Sequence, residues 1–494
     1  MSKYVLALDQ GTTSTRAILF DRDGKIVAAD QKELTQLYPI AGWVEHDPNE
    51  IYESAVEVIR GAIRKAGATA ADVAAMGITN QRETVIVWDK ATGAPIYNAI
   101  VWQCRRTASF MDKLKESDRE PFIYEKTGLT CDAYFSASKL KWILDSVPKV
   151  RARAENGELL AGTVDAFLLW KLSGGKAHAT DYTNAARTML FNIREKKWDD
   201  ELCSLFCVPK NILPEVHPSG YRYGETDPAL FGGAIPICGL VGDQQSALFG
   251  QQCWNKGDIK NTYGTGCFLL MNTGDEAVSS TRGLLTTLSA CEDGKAPDYV
   301  LEGSVFVGGA AVQWLRDGLK LVSSASETEA LARSVKDTGG VYFVPAFVGL
   351  GAPHWDAAAR GLITGITRGT TREHIVRATL EAIAYQVFDV LHAMKRDLKS
   401  EVNAINVDGG ASANDFLMQF QSDISACTVR RPETIETTAL GAAYLAGLTA
   451  GYWKDREELC RAGKFTVFRP SMPEPKRREL LLGWEEAVAR TKAR

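Results

Sequence analysis

Tyr4-Val-Leu-Ala-Leu-Asp-Gln-Gly-Thr-Thr-Ser-Thr-Arg-Ala-Ile-Leu-Phe-Asp21 is two apolar runs around a polar corner that contains one glycine. The runs predict strands over 4–9 and 15–21. Arg22-Asp-Gly24 marks another turn, and 25–29 extends again, so three antiparallel strands open the chain. At the corner Gly11 permits close backbone approach, and Thr12, Thr13 and Ser14 offer hydroxyls and amides to one small anion, with Arg16 at the same end. Asp9 would repel a bare phosphate. It fits if a cation intervenes, as Mg²⁺ does when it keeps its water shell beside one carboxylate. A capped hairpin turn without a ligand is the alternative.

The theme returns downstream. Ile237-Cys-Gly-Leu-Val-Gly-Asp243 is again an apolar run ending in Asp, followed by Gln244, Gln245 and a second glycine-rich corner, Tyr263-Gly-Thr-Gly266. Val402-Asn-Ala-Ile-Asn-Val-Asp-Gly-Gly410 is a third such strand, and a helix is expected to start near Asn414. Asp47-Pro-Asn-Glu50 reads as a helix start, with Ile51, Ala55, Val58, Ile59 and Ala62 at helical spacing up to Gly67. A long helix over 371–398 carries Val376, Leu380, Ile383, Val387, Leu391 and Met394 on one face, with Thr370 and Glu373 spaced as a capping box. Short strands over 76–79 and 84–88 flank the polar corner Asn80-Gln-Arg-Glu83. The economical division is two comparable halves, 1–250 and 251–494, with no linker of distinctive composition between them.

A chain of 494 residues with 45% hydrophobic and 24% charged residues has a globular composition, not a disordered or coiled-coil one. The net charge of -4 provides no broad basic field for nucleic acid. The ten cysteines form no C-x-x-C pair and no spaced framework, so reduced, mostly buried thiols are expected; Cys203 and Cys207 fall on a predicted helix without a histidine to complete a zinc site. No run of about 20 apolar residues is present, and the N-terminus lacks a leader pattern; no membrane insertion and a cytoplasmic location are the expectations.

P-loop, G-x-G-x-x-G, G-x-S-x-G and H-E-x-x-H patterns are all missing. The three glycine-bearing strand ends offer another way to hold phosphate. Thr265 is placed to reach a terminal phosphoryl group, and Gly409-Gly410 suits a flat ligand or an α-phosphate against bare backbone. Alone, each also reads as a plain turn. A second constellation is polar: Asn80, Arg82 and Glu83, Trp102, Tyr134, Asp243 and Gln244, with Phe268. It supplies fixed donors and acceptors, an aromatic wall and a carboxylate to take a proton, which is what a small polyhydroxy substrate needs; Asp243, ending a strand, is the natural base. The bland alternatives are a surface salt bridge for Arg82 and Glu83, and core packing for Trp102 and Phe268.

With these motifs in this order the chain resembles the sugar and polyol kinases of the FGGY family, within the actin, hexokinase and Hsp70 fold group. The resemblance spans essentially the whole chain. It rests on Asp9-Gln-Gly-Thr-Thr-Ser-Thr-Arg16, Gly77-Ile-Thr-Asn-Gln-Arg-Glu-Thr84, Val101-Trp-Gln103, Tyr134-Phe-Ser-Ala-Ser-Lys-Leu-Lys-Trp142, Gly242-Asp-Gln-Gln-Ser-Ala-Leu-Phe-Gly250, Asn261-Thr-Tyr-Gly-Thr-Gly266 and residues 408–447. It implies an α/β fold of two ribonuclease-H-like (actin-like ATPase) domains flanking a nucleotide and substrate cleft. It also implies ATP-dependent phosphorylation of glycerol to sn-glycerol 3-phosphate, because Arg82-Glu83 is the pair found in members acting on the three-carbon polyol.

By the same resemblance Arg82, Glu83, Trp102, Tyr134, Asp243, Gln244 and Phe268 form the glycerol site, and Thr12, Thr13, Ser14 and Arg16 meet the nucleotide phosphates. Thr265, Gly309, Gln313, Gly410 and Asn414 complete the nucleotide site; Mg²⁺ would sit near Asp9 through water, with Asp243 as a second candidate. A homo-oligomer, dimer or tetramer, is the family's habit. Leu230-Phe-Gly-Gly-Ala-Ile-Pro236 lacks the arginine of members inhibited by fructose 1,6-bisphosphate, and Ser219-Gly-Tyr-Arg-Tyr-Gly224 lacks the histidine of members activated by phosphorylation. A kinase for another polyol or a ketose such as xylulose, and a non-catalytic nucleotide-gated binding protein, are the competing readings.

Overall fold

The computed structural model describes residues 2–356, 358–399, 401–434, 436–460 and 464–492. The opening segment is a meander of β1 (Tyr4–Gln10), β2 (Ser14–Phe20) and β3 (Ile26–Glu33), antiparallel in turn. On its other side β1 pairs in parallel with β4 (Val73–Asn80), and β4 with β5 (Pro236–Gly242). The two-residue strand Gly224–Glu225 closes this six-stranded sheet.

Helix α1 (Pro48–Lys65) starts as read, with Asp47 accepting from the Asn49 N–H, and its apolar stripe packs with Leu6, Leu8, Ala17 and Leu19 of the sheet. Glu50 does not close a capping box there. Its carboxylate accepts instead from the backbone and hydroxyl of Thr35, each at 3.0 Å, tying the helix to the connection that follows β3.

The second sheet repeats the plan. β6 (Ile259–Tyr263), β7 (Cys267–Gly274) and β8 (Tyr299–Val305) form the antiparallel part, and β9 (Ala404–Asp408) and β10 (Thr428–Pro432) extend it in parallel from β6. Leu285–Leu288 and Phe465–Phe468 sit at the edges of its seven strands. β1 to β5 therefore correspond one by one with β6 to β10.

Register then gathers the chemistry. Asp9 pairs with Thr79 and Gly242 with Asn80, so Asp9, Asn80 and Asp243 share one end of three adjacent strands; Thr262 pairs with Asp408 at the matching end of the second sheet. The carboxyl ends of parallel strands are where open α/β sheets collect ligands.

After β5 comes α2 (Asp243–Gly250), and after β10 comes α6 (Thr437–Thr449). These equivalent helices exchange sheets. Ala439, Leu440, Ala442, Ala443 and Ala446 of α6 pack with Val5, Ala7, Ile18 and Phe20 of the first sheet, while Leu248 of α2 packs with Leu270 and Val300 of the second. They cross where a Cβ on Gly441 would lie 1.9 Å from the Ser246 carbonyl oxygen, a contact only glycine permits.

α3 (Gly309–Asp317), α4 (Arg372–Leu398) and α5 (Asp415–Ser425) belong to the second half. The six apolar positions read along α4 are all buried, but the capping box is displaced by one residue: Thr370 Oγ1 accepts from the Thr367 N–H, and Thr371 with His374 forms the box. Asn414 caps α5 as expected, accepting from the Leu417 N–H. Nine cysteines are free thiols, eight of them buried; Cys203 lies in the helix Asp200–Leu205, whereas the exposed Cys207 falls past its end. The Cys460 side chain lies outside the described residues. Among the described residues no helix is long and apolar enough to cross a membrane.

Candidate active site

Arg82 and Glu83 follow β4 directly, in a tight turn where Glu83 has a φ of 63°. Both are buried, which removes the surface salt bridge as a reading. Their nitrogen and oxygen stand 3.8 Å apart, so each takes its main partner elsewhere. Arg82 grips Glu302 with both ends of its fork, Nη1 to Oε2 at 2.8 Å and Nη2 to Oε1 at 2.9 Å. Arg187 donates from Nε to Glu83 Oε1 at 2.6 Å. The Arg82 Nε lies 3.2 Å from Asp243 Oδ1.

Asp243 opens α2, its side chain 30% exposed beside the otherwise closed Arg82 network. Burial pushes its carboxyl pKa up, and Arg82 and then Lys260 oppose that rise. Next to it, Gln244 Oε1 accepts from the buried Lys260 ammonium, which also donates to Thr262 Oγ1 at 3.0 Å. Tyr134 is held edge-on to Trp102 at 5.5 Å, and its hydroxyl is pushed well above the usual phenol range by burial and by Glu83. Trp102 in turn donates from Nε1 to Thr12 Oγ1 at 2.9 Å, joining the aromatic wall to the first corner. Neither Trp102 nor Phe268 is core: both are half-buried, and Phe268 lies on β7 between Thr262 and Ser304.

The first corner is built rigidly. Gly11 N–H donates to the Ser14 carbonyl at 2.9 Å, and Gln81, from the end of β4, donates to Gln10 Oε1 and the Gly11 carbonyl at 3.1 Å each. Gln36 donates to the Thr12 carbonyl at 2.8 Å. Thr12 and Ser14 are half-buried and Thr13 is exposed. Arg16 is engaged with Gln31 and with Glu436, the residue that precedes α6.

In the second half, Gly308, Gly309 and Ala310 at the start of α3 donate to the carbonyls of the glycine corner: Gly309 to Gly264 at 2.9 Å, Gly308 and Ala310 to Thr265 at 2.8 and 3.1 Å. This brings Thr265 and Gly309 together, with Gln313 exposed one turn along α3. The loop after β9 abuts the same corner, since a Cβ on Gly409 would be 2.6 Å from the Tyr263 carbonyl oxygen. Gly410 borders open space, with no atom within 4 Å of an added Cβ. Asn414 also donates from Nδ2 to Thr328 Oγ1 at 3.2 Å.

Asp9 faces Asp243. Burial, and then Asp243 itself, push the Asp9 carboxyl up to about 7. A carboxyl raised by burial and by a second carboxylate at the same end of the sheet is a donor set that a hydrated dication neutralises, so Mg²⁺ fits here. Among the described residues no cluster of three or more His, Cys, Asp or Glu is arranged for a metal, and a Mg²⁺ that takes most of its oxygens from water and phosphate does not need one.

Sequence reading missed Arg187, Glu302 and Lys260. Glu302 and Lys260 each place a charge inside a buried strand, β8 and β6 respectively, which was the available signal; Arg187 sits among Ala185, Ala186 and Thr188, in a stretch with no motif.

The duplicated sheet with helices exchanged between its halves and polar corners at the strand ends defines an actin-like phosphotransferase fold, and solved structures similar to it share that fold over the whole chain. Glycerol kinase from Plasmodium falciparum with ADP matches with a TM-score of 0.94 at 37% identity, covering 100% of this chain and 99% of that one. A xylulose kinase from Lactobacillus acidophilus matches with a TM-score of 0.88 at 23% identity. Family models for the N-terminal and C-terminal domains of the FGGY carbohydrate kinases match residues 4–250 and 259–450. Glycerol kinase 2 of Thermotoga maritima is 61% identical over 490 residues and glycerol kinase 1 of Clostridium tetani 59% over 492, each covering 99% of both chains. The chain belongs to the FGGY family of carbohydrate kinases.

Proposed function

We propose that this protein transfers the γ-phosphoryl group of ATP to glycerol, giving sn-glycerol 3-phosphate and ADP. The observation that carries the reading is Arg82-Glu83, buried and rigidly partnered, beside the Asp243 carboxylate at 3.2 Å. Identity of about 60% over the full length with relatives named for glycerol supports it.

In this reading Arg82 and Glu83 hold adjacent hydroxyls, Tyr134 and Gln244 complete the polar cage, and Trp102 and Phe268 flank the carbon chain. Asp243 accepts the hydroxyl proton as the oxygen–phosphorus bond forms. Thr12, Thr13, Ser14 and Arg16 face the phosphates from the first corner. Thr265, Gly309, Gln313, Gly410 and Asn414 hold the rest of the nucleotide, so that 1–250 carries the polyol and 251–494 most of the nucleotide. Asp9 through water, with Asp243 as a second candidate, would hold Mg²⁺, which would supply neutralisation of the phosphate charge. A cytoplasmic homo-oligomer belongs to the same reading.

The test is ADP release with glycerol, or a pentulose, as the only acceptor. Glycerol-dependent turnover with little response to xylulose is expected; the reverse preference would replace the substrate assignment.

A further inference from the structure

Arg82 has five N–H donors. Nη1 spends its two on Glu302 Oε2 and on Gln245 Oε1, at 2.8 and 3.1 Å; Nη2 gives one to Glu302 Oε1 at 2.9 Å; Nε faces Asp243 Oδ1 at 3.2 Å. One Nη2 hydrogen is left without a partner among the described residues. The bidentate carboxylate decides which hydrogen that is, because it fixes the plane and rotation of the fork.

Glu302 is contributed by β8 of the second sheet, whereas Arg82 follows β4 of the first. Arg187 completes a closed quartet, its Nε on Glu83 Oε1 at 2.6 Å and its Nη1 3.3 Å from Glu302 Oε2. All four side chains are 2% exposed or less, and the two positive charges match the two negative ones. Glu83 is held in the left-handed region, a conformation that persists only where its surroundings over-determine it, and the Arg187 bond does so.

We propose that Glu302 and Arg187 are positioning residues for polyol recognition, Glu302 presenting a single Arg82 hydrogen to a substrate hydroxyl and Arg187 fixing the Glu83 carboxylate. The inference rests on the glycerol reading and adds to it the source of its specificity: Glu302 of the second half sets the geometry of Arg82, and Arg187 of the first half sets that of Glu83.

The test is steady-state kinetics of Glu302→Gln, Arg187→Gln and the double variant, with thermal melting as the folding control. Glu302→Gln keeps the shape and loses the charge. It should raise the KM for glycerol by about tenfold or more while the KM for ATP stays within about twofold. The double variant restores charge balance, so its loss in kcat/KM should be smaller than the product of the single losses. A role in folding alone moves neither readout. An unchanged glycerol KM in a folded Glu302→Gln, or fully multiplicative losses, would overturn the proposal. If the Gln variant does not fold, Glu302→Asp decides in its place: a raised glycerol KM with normal ATP KM supports it, and an unchanged one overturns it. Wild-type protein inactive on glycerol would instead overturn the function, whatever the variants do.

Discussion

Asp243 stands where three strand ends converge, and its carboxyl is kept basic by burial although Arg82 and Lys260 lie close. Asp243→Asn keeps the size and removes the base, so kcat should drop by roughly 10²- to 10⁴-fold with nucleotide affinity little changed; turnover near wild type would remove Asp243 from the mechanism. A second residue-scale prediction concerns stability. Asp165 is fully buried, accepts from the hydroxyls of Thr163 and Thr180, and is pushed up to about 7 by burial and by Asp181. Between about pH 4 and about pH 7 the folded chain therefore holds a proton on Asp165 that the unfolded chain has released, and the contribution of Asp165 to stability declines as pH rises through that window. Asp165→Asn should flatten this decline, so that Tm measured at roughly pH 5 and roughly pH 8 differs less in the variant than in the wild type. At this scale the sequence displayed Asp9, Arg82, Glu83 and Asp243 because each sits at a strand end in a polar or glycine-bearing motif. Glu302, Arg187 and Lys260 stayed hidden because their meaning lies in partners distant along the chain, 220 residues apart for Arg82 and Glu302.

Among the elements, the strands and their corners were legible from apolar runs and glycine punctuation, and α4 from its 3.6-residue stripe. Its capping box slipped by one residue, because Thr370 and Thr371 both qualify and the contact with Thr367 decides between them. The exchange of α2 and α6 between sheets was not legible, since small apolar residues such as Ala442 and Ala446 do not say which sheet they face. Two glycine variants separate structure from function here. Gly441→Ala forces a methyl into the Ser246 carbonyl and should lower stability by about 1–3 kcal/mol or more, seen as a lower Tm. Gly410→Ala meets no protein atom, so Tm should hold while the KM for ATP rises if this backbone borders the nucleotide. An unchanged ATP KM would move the nucleotide off that loop.

On the scale of the whole molecule, one sheet plan occurs twice, and the repeated topology explains why the polar corners recur at Asp9–Ser14, 263–266 and 408–410. The duplication was visible in outline as three strands ending in Asp or glycine. The cross-connections were not: α6 is rooted on β1, and its N-terminal Thr437 donates to Asp408 of β9, so one helix ties both sheets at the cleft. Catalysis in this account is positioning by groups drawn from both halves, and a truncated chain ending near residue 250 should neither bind nucleotide nor phosphorylate glycerol, which isothermal titration and the ADP assay check. The most direct measurement of the central claim is a crystal structure with glycerol and ADP bound. The account predicts one glycerol hydroxyl within about 3 Å of the Asp243 carboxylate and a neighbouring hydroxyl on Arg82 and Glu83; glycerol bound away from these side chains would contradict it.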